Sequence, residues 1–487
     1  DNGTMVQVAL SDFETFFEGA IDTLSSAMTF SSTVTVGSDG SGQDVIFYSG
    51  TSGDNFTWDS SEECLTITGT DGAQALKIAD GDLVVVDKLY IYDNDGGEYL
   101  SGDGTTLTIT AGAASTVKLD ANSKISLSNN DSGTSNTILG KSAGASLDAG
   151  SNYNVFVGEA VSDASMNDAT KNVGVGYNSL SGLTEGDHNV VIGNEAANDL
   201  TVGDYNTFIG SECADALTQG DDNVAIGYSA MGNASTTDGI DKNIFIGNYS
   251  GDAIGGNAVE GVTAVGYASA SGALTSAANG TVAVGREALK ALTSGAGNTA
   301  VGYQALDAED AGSYNTAVGY TALSTLNIDG TVGNVAVGYA AGRDSSTGVK
   351  NTFLGGFCGT TTVDADNCVF VGYAAGGDGN ITSAGDGSVG VGAFALNDLT
   401  SGEGNTAVGL SAGAAITDGQ YNTLLGTEAG LTLDGGTSNV FVGWKAGRLQ
   451  DEAGHCIGIG HLALANSAND DSHNNIAIGS NSLDAIT

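Results

Sequence analysis

The chain has 487 residues, with 58 Asp and Glu against 13 Lys and Arg, a formal charge of −45. A surface that acidic repels nucleic acid and anionic lipid, which argues against both as partners. Apolar residues still make up 40% of the chain, so it is no acidic disordered tail, and 76 Gly with no Gly-X-Y period and no Pro rule out collagen.

From the N-terminus, residues 11 to 28, SDFETFFEGAIDTLSSAM, predict one helix. Ser11 with Glu14 makes a capping box, and Phe13, Phe16, Phe17, Ala20, Ile21, Leu24 and Met28 share a helical face. Residues 1–30 are expected to be a helical attachment or docking segment. Residues 31–130 hold short alternating runs, among them DVIFY, NFTW, CLTIT, KLYIY and TLTIT, between turns rich in Gly, Asp and Ser. This spacing predicts a β-rich shaft or collar. The stretch DNDGGE at 93–98 hints at a calcium loop but lacks the later Glu. No apolar run approaches the ~20 residues that span a bilayer.

From residue 131 to 487 the chain repeats itself. GNTAVGYQAL at 297–306 returns seventeen residues later as YNTAVGYTAL. Aligned on the Gly that ends NTAVG, twenty units follow at spacings of 17 to 20 residues. The residue before this Gly is always Val, Ile or Leu, and the third before it is always Val, Ile or Thr, as a strand requires. The third after it is small in all units but one, where Val161 stands. Seventeen residues are too few for the helical repeats, which run from about 33 upward, and suit one coil of a parallel β-solenoid, or β-roll.

The fourth residue before the Gly is Asn in fifteen units: Asn136, Asn154, Asn172, Asn189, Asn206, Asn223, Asn243, Asn298, Asn315, Asn334, Asn351, Asn405, Asn422, Asn439 and Asn475. Coils stacked in register would set these amides above one another as a ladder. The recurrent Gly would supply the positive φ of a tight corner.

Strand side chains alternate between faces. If Thr299 and Val301 fill the coil interior, Ala300 between them faces outward. That intermediate position is apolar in all twenty units: Ala in eight, Phe in six, Gly in three, and Ile138, Val191 or Leu424 in the rest. An outward apolar stripe along the rod exceeds what a soluble monomer carries, so burial against further copies is expected. Phe156, Phe208, Phe245, Phe353, Phe370 and Phe441 would then plug an oligomer axis, and small residues such as Ala300 and Ala317 would let backbones approach.

The phrases NTAVGYQAL, NTAVGYTAL and NVAVGYAAG resemble repeats of marine and cyanobacterial phage tail-fibre proteins, and more distantly the β-roll head of trimeric autotransporter adhesins. The resemblance covers about residues 131 to 487, although the adhesin repeat is shorter than seventeen. FYSGTSGDNFTWDSSEECLTITG and GGEYLSGDGTTLTIT also resemble segments of phage virion and tail-fibre proteins. The resemblance implies a homotrimer, left-handed coils, and a virion fibre that touches a host-surface receptor or glycan. The alternative is a subunit of an extracellular or cell-surface bacterial filament, adhesin-like and docked head to tail through residues 1–30.

Motifs for chemistry are sparse, and no enzymatic activity is expected. The five Cys make no CxxC; Cys213 and Cys358 fall at the small-residue position, and Cys368 and Cys456 at the Asn position, as buried thiols would. His188, His455, His461 and His473 read as surface loop residues. Asp187, Asp204 and Asp221 recur in GDHN, GDYN and GDDN, one coil apart. Stacked acids repel one another unless a divalent cation such as Ca²⁺ intervenes, while solvated turn aspartates are the plainer reading.

Overall fold

The computed structural model describes residues 44–48, 50, 55–60, 64–68, 135–234, 239–466 and 473–484. The expected helix at 11–28 and the loop at 93–98 lie outside the described residues. The chain divides into two units, Asp1–Lys118 and Leu119–Thr487. In the first, β1 (Val45–Tyr48), β2 (Asn55–Asp59) and β3 (Cys64–Thr68) form an antiparallel meander, with Val45 opposite Trp58 and Asn55 opposite Thr68. Phe47 and Phe56 meet across one face at 5.8 Å, the cross-strand aromatic contact that favours such pairs.

The second unit is a parallel β-solenoid of twenty coils. Each coil contributes one three-residue strand, from Thr137–Leu139 to Ile476–Ile478. Neighbouring strands pair in parallel without slippage, as Thr299, Ala300 and Val301 do with Thr316, Ala317 and Val318. The first and last strands each have one neighbour, so the sheet is an open ladder. At roughly 4.8 Å per coil it runs about 90 Å. One coil pair adds a second short pairing, Gly312–Ser313 with Gly330–Thr331. Among the described residues helix is confined to two single 3₁₀ turns, Ser276–Ala278 and Ser383–Gly385. No helix among the described residues is long and apolar enough to cross a membrane.

The Gly corner is obligatory for two reasons. Gly302 sits at φ 142°, and a Cβ there would lie 2.2 Å from the carbonyl oxygen of Gly319 in the next coil. Each corner glycine thus lets the next coil approach within a ladder spacing, which no side chain permits.

The core corrects the facing expected from strand alternation. Phe156, Phe208, Phe245, Phe353, Phe370, Phe441, Ala300 and Ala317 are all fully buried inside the single chain, so they do not form an oligomer axis. The intermediate residue points into the coil, and the flanking Thr, Val, Ile and Leu residues point out. The physical reason is volume. Six residues beyond the intermediate position stands a second inward residue, and the two share one space. Where the first is Phe245, the second is Gly251, whose added Cβ would lie 2.3 Å from the ring; Phe370 with Gly376 and Phe441 with Gly447 repeat the pairing. Where the first is Ala283, Ala300 or Ala317, the second is Leu289, Leu306 or Leu323, all buried. Where both members are small, as at Ala336 with Gly342 and Ala407 with Gly413, side chains of neighbouring coils fill the space, Phe353 and Leu323 in the first and Leu424 and Leu396 in the second.

A column of asparagines closes one edge of this core. Asn189 Nδ2 donates to the Gly203 carbonyl at 2.7 Å, while its Oδ1 accepts the Asn206 backbone N–H and Nδ2, both at 3.0 Å. From Asn172 to Asn223 each fully buried amide ties its coil to the next through three such bonds, whereas farther along Asn315 keeps only its Oδ1 bond, to the Asn334 N–H, and its buried Nδ2 finds no partner. Cys368 and Cys456 interrupt the column, yet their backbone N–H groups still donate to Asn351 and Asn439 Oδ1 at 2.8 and 2.9 Å.

Candidate interaction face

The strand positions that flank the buried residue form two outward columns. They hold only Val, Ile, Leu and Thr through all twenty coils, and none of the chain's acidic or basic residues. They are half-buried to exposed: Val301 and Val318 are partly covered, while Leu139, Leu354 and Leu425 are 47–49% exposed. At roughly 40 Å² accessible on each of forty residues, the stripe amounts to about 1,600 Å², against the few hundred that soluble monomers tolerate.

Beyond the Gly corner, the next two positions carry a second feature that sequence reasoning missed. Tyr228, Tyr249 and Tyr267 contact edge to face, with ring centroids 5.3 and 5.9 Å apart. The Arg286 guanidinium then bridges Tyr267 and Tyr303, at 5.5 and 5.9 Å from their centroids. Tyr303, Tyr320 and Tyr339 stack at 4.9 and 5.5 Å, and Phe357, Tyr373 and Phe394 continue at 5.0, 5.8 and 5.6 Å. The row runs through ten coils, nine of which add one ring at about the ladder spacing, within the 4.5–7 Å range of favourable aromatic pairs, while Arg286 fills the place of the tenth. Its signal was legible in the recurrent Tyr that follows the corner Gly. Farther along, Trp444 stacks on His461 at 4.8 Å and lies under Lys445.

Two depressions lie along this row. Each opens where Ala follows the corner at the second position between two bulky neighbours. Ala268 lies between Tyr249 and Glu287, in a hollow of about 350 Å³ also lined by Asp252, Tyr267, Arg286 and Lys290. Ala374 lies between Phe357 and Phe394, in a hollow of about 380 Å³ also lined by Arg343, Thr360, Thr361, Tyr373 and Asp378. Gln304 donates to Glu287 at 2.8 Å and Arg286 at 3.2 Å, and these bonds hold the Glu287 carboxyl below its usual range. Burial pushes the Asp252 carboxyl up.

The other residues singled out in the sequence serve the backbone. Asp187 Oδ1 accepts the Thr170 N–H at 2.6 Å, Asp204 Oδ1 that of Asp187 at 2.7 Å, and Asp221 Oδ1 that of Asp204 at 2.8 Å. Each carboxylate is thus an acceptor for the coil before it, which places acids one coil apart without requiring a cation. Among the described residues no group of three or more His, Cys, Asp or Glu side chains is placed to hold a metal. Cys213 and Cys358 donate to backbone carbonyls at 3.2 and 3.0 Å, and burial pushes both thiols up to about 12, far from the reactive thiolate range. His188 stacks on Tyr205 at 4.7 Å. Comparison with models of known families and with curated proteins found no match.

Proposed function

We propose that the chain is a non-enzymatic structural fibre, of the kind carried on phage tails, in which copies associate along their outward strand columns and present the aromatic row to a host surface. The observation that carries this reading is the charge-free apolar stripe. A chain of net charge −45 repels its own copies everywhere except along a face with no charge, and this face has a standard interface's area twice over, taking ~800 Å² per partner as standard. Parallel, in-register ridges of Val and Ile repeat at the same spacing in every copy, so one copy's ridges fit another's grooves along the whole rod. Three copies is the number that the resemblance to tail fibres and adhesin heads implies.

Sedimentation and negative-stain imaging of the whole protein test this reading, with Val301→Asp/Val318→Asp as the disrupting variant. The expected result is a discrete trimeric rod that the variant dissociates without loss of β-structure. A wild-type monomer at micromolar concentration would sink the reading. Endless filaments instead of discrete rods would favour the head-to-tail alternative.

A further inference from the structure

We propose that the two hollows floored by Ala268 and Ala374 are saccharide-binding notches, each taking a neutral hexose unit of a polysaccharide. The proposal deepens the contact-surface reading and lies on a different column from the stripe proposed for self-association.

The notches are one structural device used twice. The second position after the corner sits in the left-handed region, with φ of 50° at Ala268 and 52° at Ala374. That conformation takes large side chains elsewhere: Tyr249 at 59°, Phe357 at 55° and Phe394 at 57°. Alanine is therefore not required by the backbone at either place. Tyr267 and Tyr373 keep the row continuous in these two coils, and alanine at the second position leaves a trough beside it, walled by Tyr249 and Tyr267 in one and by Phe357, Tyr373 and Phe394 in the other. Both troughs also carry a cation and a carboxylate, Arg286 with Asp252 in one and Arg343 with Asp378 in the other. Asp344 holds the Arg343 guanidinium at 2.7 and 2.8 Å, which fixes its orientation.

This combination selects a ligand class. Aromatic walls and an apolar floor match the C–H face of a pyranose ring, while a guanidinium and a carboxylate supply both donor and acceptor for its hydroxyl groups. A purely apolar ligand would strip water from these charged groups and offer no hydrogen bond in return, at high cost. A polyanion would meet the field of −45 charges. A neutral, hydroxyl-rich ring avoids both penalties. The two notches lie six coils apart on one line of the rod, about 29 Å, so a single polysaccharide chain can engage both and gain avidity.

The test uses the full-length protein and three neutral polysaccharides, dextran, laminarin and mannan, with alginate as the anionic control, read by affinity electrophoresis and calorimetry. The variants are Ala268→Tyr and Ala374→Phe, which fill the notches with side chains that the same backbone position already accepts. Binding of at least one neutral polymer, weakened about tenfold by either variant and abolished by both, is expected. No binding to any of the three, or binding unchanged in the double variant, overturns the proposal. Circular dichroism confirms that each variant folds. Sedimentation of the same samples reports self-association separately, so loss of the fibre reading and loss of this one are distinct results.

Discussion

Replacing Phe245 by Ala and Gly251 by Leu tests the packing rule on which the inward-facing assignment rests. Phe245 is fully buried, and its ring occupies the space that a Cβ at Gly251 would enter at 2.3 Å. Phe245→Ala alone leaves a cavity of nearly a whole ring, worth about 3–5 kcal/mol. Gly251→Leu alone drives a side chain into that ring, at a cost of at least 1–3 kcal/mol for overpacking. The double variant rebuilds the pairing of Ala300 with Leu306 between Ala225 and Ala264, with Met231 and Ala270 as the second inward residues above and below where Ala300 has Leu289 and Leu323. Leu is tolerated at the backbone angle, because Leu306 has φ 53° against 59° at Gly251. The double variant should therefore fall within about 1.5 kcal/mol of wild type, and the coupling energy should exceed about 2.5 kcal/mol. Urea unfolding gives the stabilities, and hydrogen exchange across residues 224–285 gives the local effect, since a stack of coils need not unfold in one step. Two additive single effects would refute the reasoning. So would a Phe245→Ala variant that loses association while keeping its stability, for that is what an outward Phe predicts.

Gly302→Ala should destabilise by several kcal/mol, since its Cβ would collide with the Gly319 carbonyl at an unfavourable φ; an unchanged thermal midpoint would refute the close-approach argument. Asn206→Ala strands the Asn223 N–H and side-chain amide, which donate to Asn206 Oδ1 at 3.0 and 3.1 Å, and should cost about 3 kcal/mol in urea unfolding. Glu309 occupies a core column otherwise held by Leu292 and Leu326; its Oε1 accepts the N–H groups of Gly312 and Ala311, its Oε2 finds no partner, and burial pushes the carboxyl above its ordinary 4.5. A raised folded pKa contributes stability that is full below pH 4.5 and lost as pH rises through the folded value. Thermal midpoints measured from pH 4 to 8 should therefore fall more for wild type than for Glu309→Gln, and equal falls would show that the burial is not felt.

The repeat period, the Gly corner, the Asn column and the parallel stacking were all legible in the residues, because each is fixed by a local requirement that recurs at every coil. Facing was not. Alternation along Thr299–Ala300–Val301 says only that Ala300 opposes its neighbours, and both sets are apolar, so the hydrophobic pattern alone leaves the interior unassigned. The deciding signal was present six residues away. Phe245 is answered by Gly251 and Ala300 by Leu306, and such compensation exists only between side chains that share a closed space. The aromatic row was equally visible as Tyr after the corner. Its meaning needed the fold, since only the in-register stack brings residues 17 to 20 positions apart into ring contact.

A solenoid of this kind divides its residues by a physical rule that bears on where function can lie. Positions that make the ladder see the same environment at every coil, so the corner Gly and the inward pair are constrained twenty times over and carry no address along the rod. An address arises only where a column departs from its habit at a position that the backbone leaves open. Ala268 and Ala374 occupy such an open position, since the same conformation holds Tyr249, Phe357 and Phe394 in adjoining coils. Glu309 is a departure of the other sort, a charge-bearing group set into the core, and it lies beside a second strand pairing, Gly312–Ser313 with Gly330–Thr331. The first sort shapes the surface at a chosen distance along the rod. The second changes the strength of one coil junction without altering the surface columns, so the place where such a rod first opens can be set independently of what it binds.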